Sequence, residues 1–189
     1  MDNNAVIVSG SSGFIGKNFL KTYSNKNFYQ VSRIDNQIFF KDFKNKLDTN
    51  FLKTDKELVL LHLATHFSKD PNDNDLIFEA NINFGKNLLN KLKSFNLKKI
   101  VYTNTMFNFY KEQNIRDLYY TNTKQTFSQY LKKFCMKENI LYEEIFLDNT
   151  FGVNDTRNKI IPLIVASIVN GKENPILNPD ALINLVSVK

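Results

Sequence analysis

The chain of 189 residues contains one cysteine, two histidines, no tryptophan and, among its 25 basic residues, only three arginines. Cys135 alone cannot close an internal disulfide, and with His62 and His66 it makes a poor metal set, so no bound metal is expected. A reducing cytoplasm is the expected location. No apolar run has the length that a membrane span requires. The start, Met1-Asp-Asn-Asn, has neither the basic segment nor the apolar stretch of a secretory signal. The net charge is +6 with a pI of about 9.2, a balance that raises the question of nucleic acid. Yet arginine, the usual bidentate reader of phosphate and guanine, is represented only by Arg33, Arg116 and Arg157, and the lysines are scattered. The charge reads as solvated surface, with neither nucleic acid nor membrane as partner.

Short apolar runs alternate with helical periodicity. Ala5–Ser9, Phe28–Arg33, Gln37–Lys41, Leu58–His62, Lys99–Asn104 and Glu143–Leu147 read as six strands. Helices are expected from the first glycine turn to about Tyr23, over 76–95, over Thr121–Lys137, and over Ile160–Asn170 with Gly171 as the stop. This alternation predicts an α/β fold, a Rossmann-type doubly wound parallel sheet with helices on both faces. His62 reads as a core histidine bonded to backbone.

Two motifs carry chemistry. The first strand runs into Gly10-x-x-Gly13-x-x-Gly16 and a helix, the signature of a dinucleotide turn. There Gly10 permits positive φ, Gly13 lets backbone approach a pyrophosphate, and Gly16 allows close helix packing. The helix N-terminus supplies N–H groups and partial positive charge. The second motif, Tyr120-x-x-x-Lys124, puts both side chains on one helical face. An ammonium beside the phenol would lower its pKa and make Tyr120 a proton donor or acceptor. Thr105, just past the fifth strand, could bond the same substrate oxygen. Near the second strand's end, Arg33 favours NADP and Asp35 favours NAD; the position of Arg33 directly after the last apolar residue leans the reading toward NADP.

These residues, with Val6–Gly16 (VIVSGSSGFIG), Leu58–Thr65 (LVLLHLAT), Asn81–Gly85 and Asn149–Gly152, resemble the extended short-chain dehydrogenase/reductase family of NAD(P)-dependent nucleotide-sugar epimerases, dehydratases and reductases. Ile100–Phe107 (IVYTNTMF), Gly152–Asp155 and Lys159–Pro162 are similar to its CDP-abequose and paratose synthase branch. The resemblance implies a catalytic set of Tyr120, Lys124 and Thr105. It implies cofactor contacts at Gly10, Gly13, Phe14, Ile15, Gly16, Arg33, Asp42, Phe43, Leu63, Ala64, Thr65, Asn81, Lys124 and Asp148, and substrate contacts at Thr105 and Asn149. The cofactor would be NADP or NAD. The activity would be 4-keto reduction of a nucleotide-linked deoxysugar in surface-polysaccharide or O-antigen (lipopolysaccharide) synthesis, with an epimerase or dehydratase as the alternative.

The chain departs from the family pattern in places. Asn104-Thr105 replaces a usual Ser-Ser, and Phe151-Gly152-Val153 replaces Tyr-Gly-Pro. Residues 1–172 are expected to form the nucleotide-binding domain and 173–189 the stub of a largely missing substrate domain. A catalytically inactive nucleotide-binding fragment or interaction module is therefore a further alternative. A homodimer through the helices of 76–95 and 121–137 is expected.

Overall fold

The computed structural model describes residues 4–23, 28–34, 37–42, 56–111, 118–171, 173, 180 and 182–188. They divide into two compact units, Met1–Phe146 and Leu147–Lys189. The sequence-based boundary lies at 172/173 instead; the earlier division follows a separate pair of short strands within residues 147–189.

The first unit holds β1 (Asn4–Ser9), α1 (Phe14–Thr22), β2 (Phe28–Ile34), β3 (Gln37–Lys41), β4 (Glu57–His62), α2 (Asn74–Phe78), α3 (Phe84–Leu92), β5 (Leu97–Thr105), α4 (Tyr119–Glu138) and β6 (Leu141–Leu147), whose last residue opens the second unit. The six strands form one sheet in the order β3-β2-β1-β4-β5-β6. β1 pairs in parallel with β2 and β4, and β4 with β5. The α/β Rossmann-type architecture is as expected. The wholly parallel sheet is not, because β3 runs antiparallel to β2. Two residues separate these strands, and a parallel crossover needs a dozen or more.

Alternation along the strands produces two cores. Ala5 and Ile7 of β1 and Leu58 and Leu60 of β4 join Leu88, Leu89 and Leu92 of α3 and Phe127 and Leu131 of α4. Val8, flanked by Val6, Leu61 and Leu63, packs on the other face with Leu20 of α1 and Phe28. The helix expected over 76–95 is interrupted: α2 and α3 are joined by a π-helical turn, Glu79–Asn83. α3 approaches α4 so closely at Gly85 that a Cβ there would enter the Phe127 ring.

The second unit contains β7 (Asn149–Gly152), α5 (Ile160–Asn170) and β8 (Leu185–Val188). β7 and β8 pair in parallel. Gly171 ends α5 at φ 61°, as expected. Arg157 ties this unit together. Its guanidinium bonds both oxygens of Asp155 at 2.7 Å and the Thr150 carbonyl at 2.7 Å.

Candidate active site

The carboxyl ends of β1, β4 and β5 lie side by side, the place where open α/β sheets bind ligands. The turn after β1 is built as its glycines require. Gly10 has φ 72°, and a Cβ on it would meet the Ala64 nitrogen at 2.6 Å. A Cβ on Gly16 would strike the Gly10 carbonyl, so this glycine lets α1 seat on the turn. Gly13 differs. A Cβ there would meet only the Gly10 oxygen, at 3.2 Å, and otherwise open space. It therefore leaves room beside the first turn of α1, where Phe14 and Ile15 start the helix and no acidic residue offsets the positive end. This cradle fits a dinucleotide pyrophosphate. Leu63 donates its N–H to the Ser9 carbonyl at 3.1 Å, which holds the Leu63–Thr65 segment against the turn.

Tyr120 stands where β4 and β5 end, half-buried, its ring edge-on to Phe67 at 4.9 Å and to Phe107 at 6.5 Å. Its hydroxyl bonds the side chains of both Thr65 and Thr105. Thr65 in turn donates to Asn81 Oδ1 at 3.0 Å. An amide oxygen only accepts, so the Thr65 hydroxyl is the donor in that bond. Thr105 Oγ1 also accepts the Phe107 N–H at 3.2 Å. Asn81 uses all of its bonding capacity, because Oδ1 also accepts the His66 N–H at 2.8 Å. Its Nδ2 donates to the His66 carbonyl at 3.2 Å and to Thr123 Oγ1 at 3.1 Å. The structure thus assigns Asn81 to bracing the β4 loop against α4. Thr123 is a partner that sequence reasoning missed, and no motif signals it.

Lys124 is fully buried. Its Nζ donates to the Thr103 carbonyl at 2.6 Å and lies 4.3 Å from the centre of the Tyr102 ring. Burial pulls its pKa down to about 7, against the opposing pull of the Glu144 carboxylate. The expected lowering of the phenol does not occur. Burial raises the Tyr120 pKa, and the two threonine hydrogen bonds only moderate this. The ammonium is engaged with Thr103, so it does not offset the desolvation of the phenol. Asn104, in place of the usual serine, donates to Glu144 at 2.7 Å and locks the end of β5 to β6.

His62 bonds the Ser9 hydroxyl at 2.8 Å rather than backbone. It packs among Phe84, Tyr102 and Phe127, where burial drives its pKa to about 3. Arg33, at the end of β2, forms an ion pair with Glu79 at 3.3 Å. Asp42 is not brought to this edge. The antiparallel run of β3 carries it back along the sheet, past the pairing of Lys41 with Gln30. Phe43 and Asp35 lie outside the described residues. Asp148 belongs to the second unit with Asn149, whose N–H and side-chain amide both donate to Asp148 Oδ1, at 3.0 and 2.9 Å. Among the described residues no cluster of three His, Cys, Asp or Glu side chains could hold a metal ion, and no helix is long and apolar enough to cross a membrane.

The sequence profile described as the NAD dependent epimerase/dehydratase family matches residues 6–183. A search of curated proteins finds no match. Among solved structures, a UDP-N-acetylglucosamine 4-epimerase from Methanobrevibacter ruminantium, in complex with UDP-N-acetylmuramic acid, aligns over 100% of this chain and 70% of its own. The TM-score is 0.75 and the identity 20%. A UDP-glucuronic acid 4-epimerase from Bacillus cereus, in complex with UDP-glucuronic acid and NAD, has TM-score 0.75 and 16% identity, over 97% of this chain and 69% of that one. The capsular polysaccharide assembling protein CapF of Staphylococcus aureus has TM-score 0.66 and 19% identity, over 98% of this chain and 45% of that one. At these identities the likeness is one of fold.

Proposed function

The chain belongs to the NAD dependent epimerase/dehydratase family, and on that premise we propose that it catalyses hydride transfer at carbon 4 of a nucleotide-linked sugar. The observation that carries this reading is the meeting of Tyr120, Thr105 and Thr65 beside the glycine turn. The first turn of α1 would hold the pyrophosphate, with Phe14 and Ile15 contributing N–H groups. A bound nicotinamide supplies or accepts the hydride. Tyr120, kept protonated at neutral pH by burial, donates its proton to the sugar oxygen, and Thr105 bonds that same oxygen. Thr65 and Asn81 hold the phenol in line. Lys124 supports the end of β5 through Thr103.

Two outcomes share this chemistry. The UDP-sugar 4-epimerases among the structural neighbours favour epimerisation, in which reduction and oxidation alternate within one cycle. The resemblance of Ile100–Phe107 favours net 4-keto reduction, in which Tyr120 only donates its proton. We assign Asp148 and Asn149 to nicotinamide and substrate-phosphate contacts respectively, the protein to the cytoplasm, and its working form to a homodimer through α2, α3 and α4. Leu76, Phe78 and Met136 are exposed apolar side chains on those helices, and light scattering at micromolar concentration tests the dimer. We retain 1–172 as the nucleotide-binding domain.

The test is incubation with UDP-glucose, UDP-N-acetylglucosamine and a 4-keto sugar nucleotide, each with NAD or NADH. Product without net change of cofactor identifies an epimerase, and stoichiometric oxidation of NADH a reductase. Tyr120→Phe lowers either by at least about a hundredfold. Dinucleotide binding without turnover of any of the three would replace the enzyme with a binding module.

A further inference from the structure

Arg33 stands 20 positions after Gly13, at the end of the strand beside β1. In dinucleotide folds a residue about 20 positions past the glycine turn reads the adenosine ribose. An arginine there is ordinarily taken as the receptor of a 2′-phosphate. The surroundings of this arginine argue otherwise. Its Nη1 lies 3.3 Å from Glu79 Oε1, and Glu79 is held in turn by Asn83, whose Nδ2 donates to Oε2 at 2.9 Å. Both residues belong to the π-helical turn Glu79–Asn83, a distortion that recurs at functional sites. Arg33 and Glu79 also line one cleft with Ile38, Phe84 and Asn87, of about 280 Å³, close to the lower end of small-ligand sites at roughly 300 Å³.

We infer that Glu79, through its pairing with Arg33, makes this cleft a reader of the ribose 2′-hydroxyl and a filter against the 2′-phosphate. The inference rests on the dinucleotide reading above and deepens it. A 2′-phosphate approaching Arg33 meets a fixed carboxylate and must either displace it or bear its repulsion. A hydroxyl carries no charge and donates a hydrogen bond to the same carboxylate. The arginine then serves to orient Glu79 rather than to bind phosphate. This reverses the reading of Arg33 as an NADP determinant, because its charge already has a counterion of the same chain.

The experiment is a titration of the full chain with NADH and with NADPH, followed by nicotinamide fluorescence, for wild type, Glu79→Gln, Arg33→Gln and the double variant. Both side chains are 46% exposed, so the substitutions leave the core untouched. Wild type is expected to bind NADH more tightly than NADPH. Glu79→Gln is expected to improve NADPH binding about tenfold, with NADH changed by less, because a freed arginine now meets the phosphate. Adding Arg33→Gln is expected to erase that gain. A wild-type preference for NADPH, or an unchanged preference in Glu79→Gln, overturns the inference and leaves the family reading standing. Failure of wild type to bind either nucleotide removes the dinucleotide reading and this inference with it.

Discussion

The two units are held by different means. In Met1–Phe146 a sheet is covered on both faces, and Ala5, Ile7, Leu88 and Ile100 lose all exposure. In Leu147–Lys189 the one buried residue among those described is Thr150. α5 buries none of its side chains, and Ile168 and Val169 are each 76% exposed. The polar ties of this unit centre on the Arg157 guanidinium fork on Asp155 and Thr150. A dry, precisely packed interior can hold a phenol against two threonines at a fixed place. The polar knot of the second unit constrains one strand and one loop. The proposed acid, Tyr120, belongs to the first unit.

Five substitutions sharpen or break this contrast. The largest effect is on turnover. Tyr120→Phe should lower kcat by about 10²–10⁴-fold, the usual contribution of a positioned acid, while NADH binding persists. Equal losses of both would make Tyr120 a structural residue. Next comes the core. Leu88→Ala should destabilise the first unit by about 2–5 kcal/mol, whereas Ile168→Ala should stay within about 0.5 kcal/mol, both read by urea unfolding. Similar values would erase the distinction between the units. Arg157→Ala leaves the Asp155 carboxylate, 3% exposed, without its guanidinium. About 1–3 kcal/mol should be lost, and hydrogen exchange should quicken at 149–152 but not in the first unit.

The smallest effect is a pH slope from His62. Its pKa lies at about 3 in the fold against an ordinary 6.5. Between those values the unfolded chain binds the extra proton. The contribution of His62 is therefore complete above about pH 6.5 and is lost progressively as the pH falls toward 3. His62→Gln should flatten the acid limb of stability against pH relative to wild type. An unchanged limb would place the titration elsewhere.

Much of the first unit is legible in the sequence because its signals are local. Gly10, Gly13 and Gly16 encode a turn within seven residues, and the structure gives Gly10 its positive φ and Gly16 its close packing. Tyr120 and Lys124 share a helical face by spacing alone. What spacing does not reveal is where long side chains go when buried. Lys124 reaches the Thr103 carbonyl, the phenol bonds Thr65, and Asn81 spends its whole capacity as a brace; all three depend on contacts distant in sequence. The strand of Gln37–Lys41 is legible, but its direction is not. Direction follows from the shortness of the link to β2, and it removes Asp42 from the ligand edge. The ion pair of Arg33 with Glu79 spans 46 positions, and no local pattern foretells it.

The most direct test of the account is a fluorescence titration of wild type and Gly13→Val with NADH. Gly13 has ordinary backbone angles, φ −75° and ψ 171°, and an added Cβ meets a single protein atom, the Gly10 carbonyl oxygen at a tight 3.2 Å, so the fold should persist with a small loss of stability while the branched group fills the phosphate cradle. The account predicts wild-type binding at about micromolar Kd and a loss of at least about a hundredfold in the variant, measured where thermal denaturation shows the variant still folded. Equal binding by both proteins, or none by wild type, would contradict it.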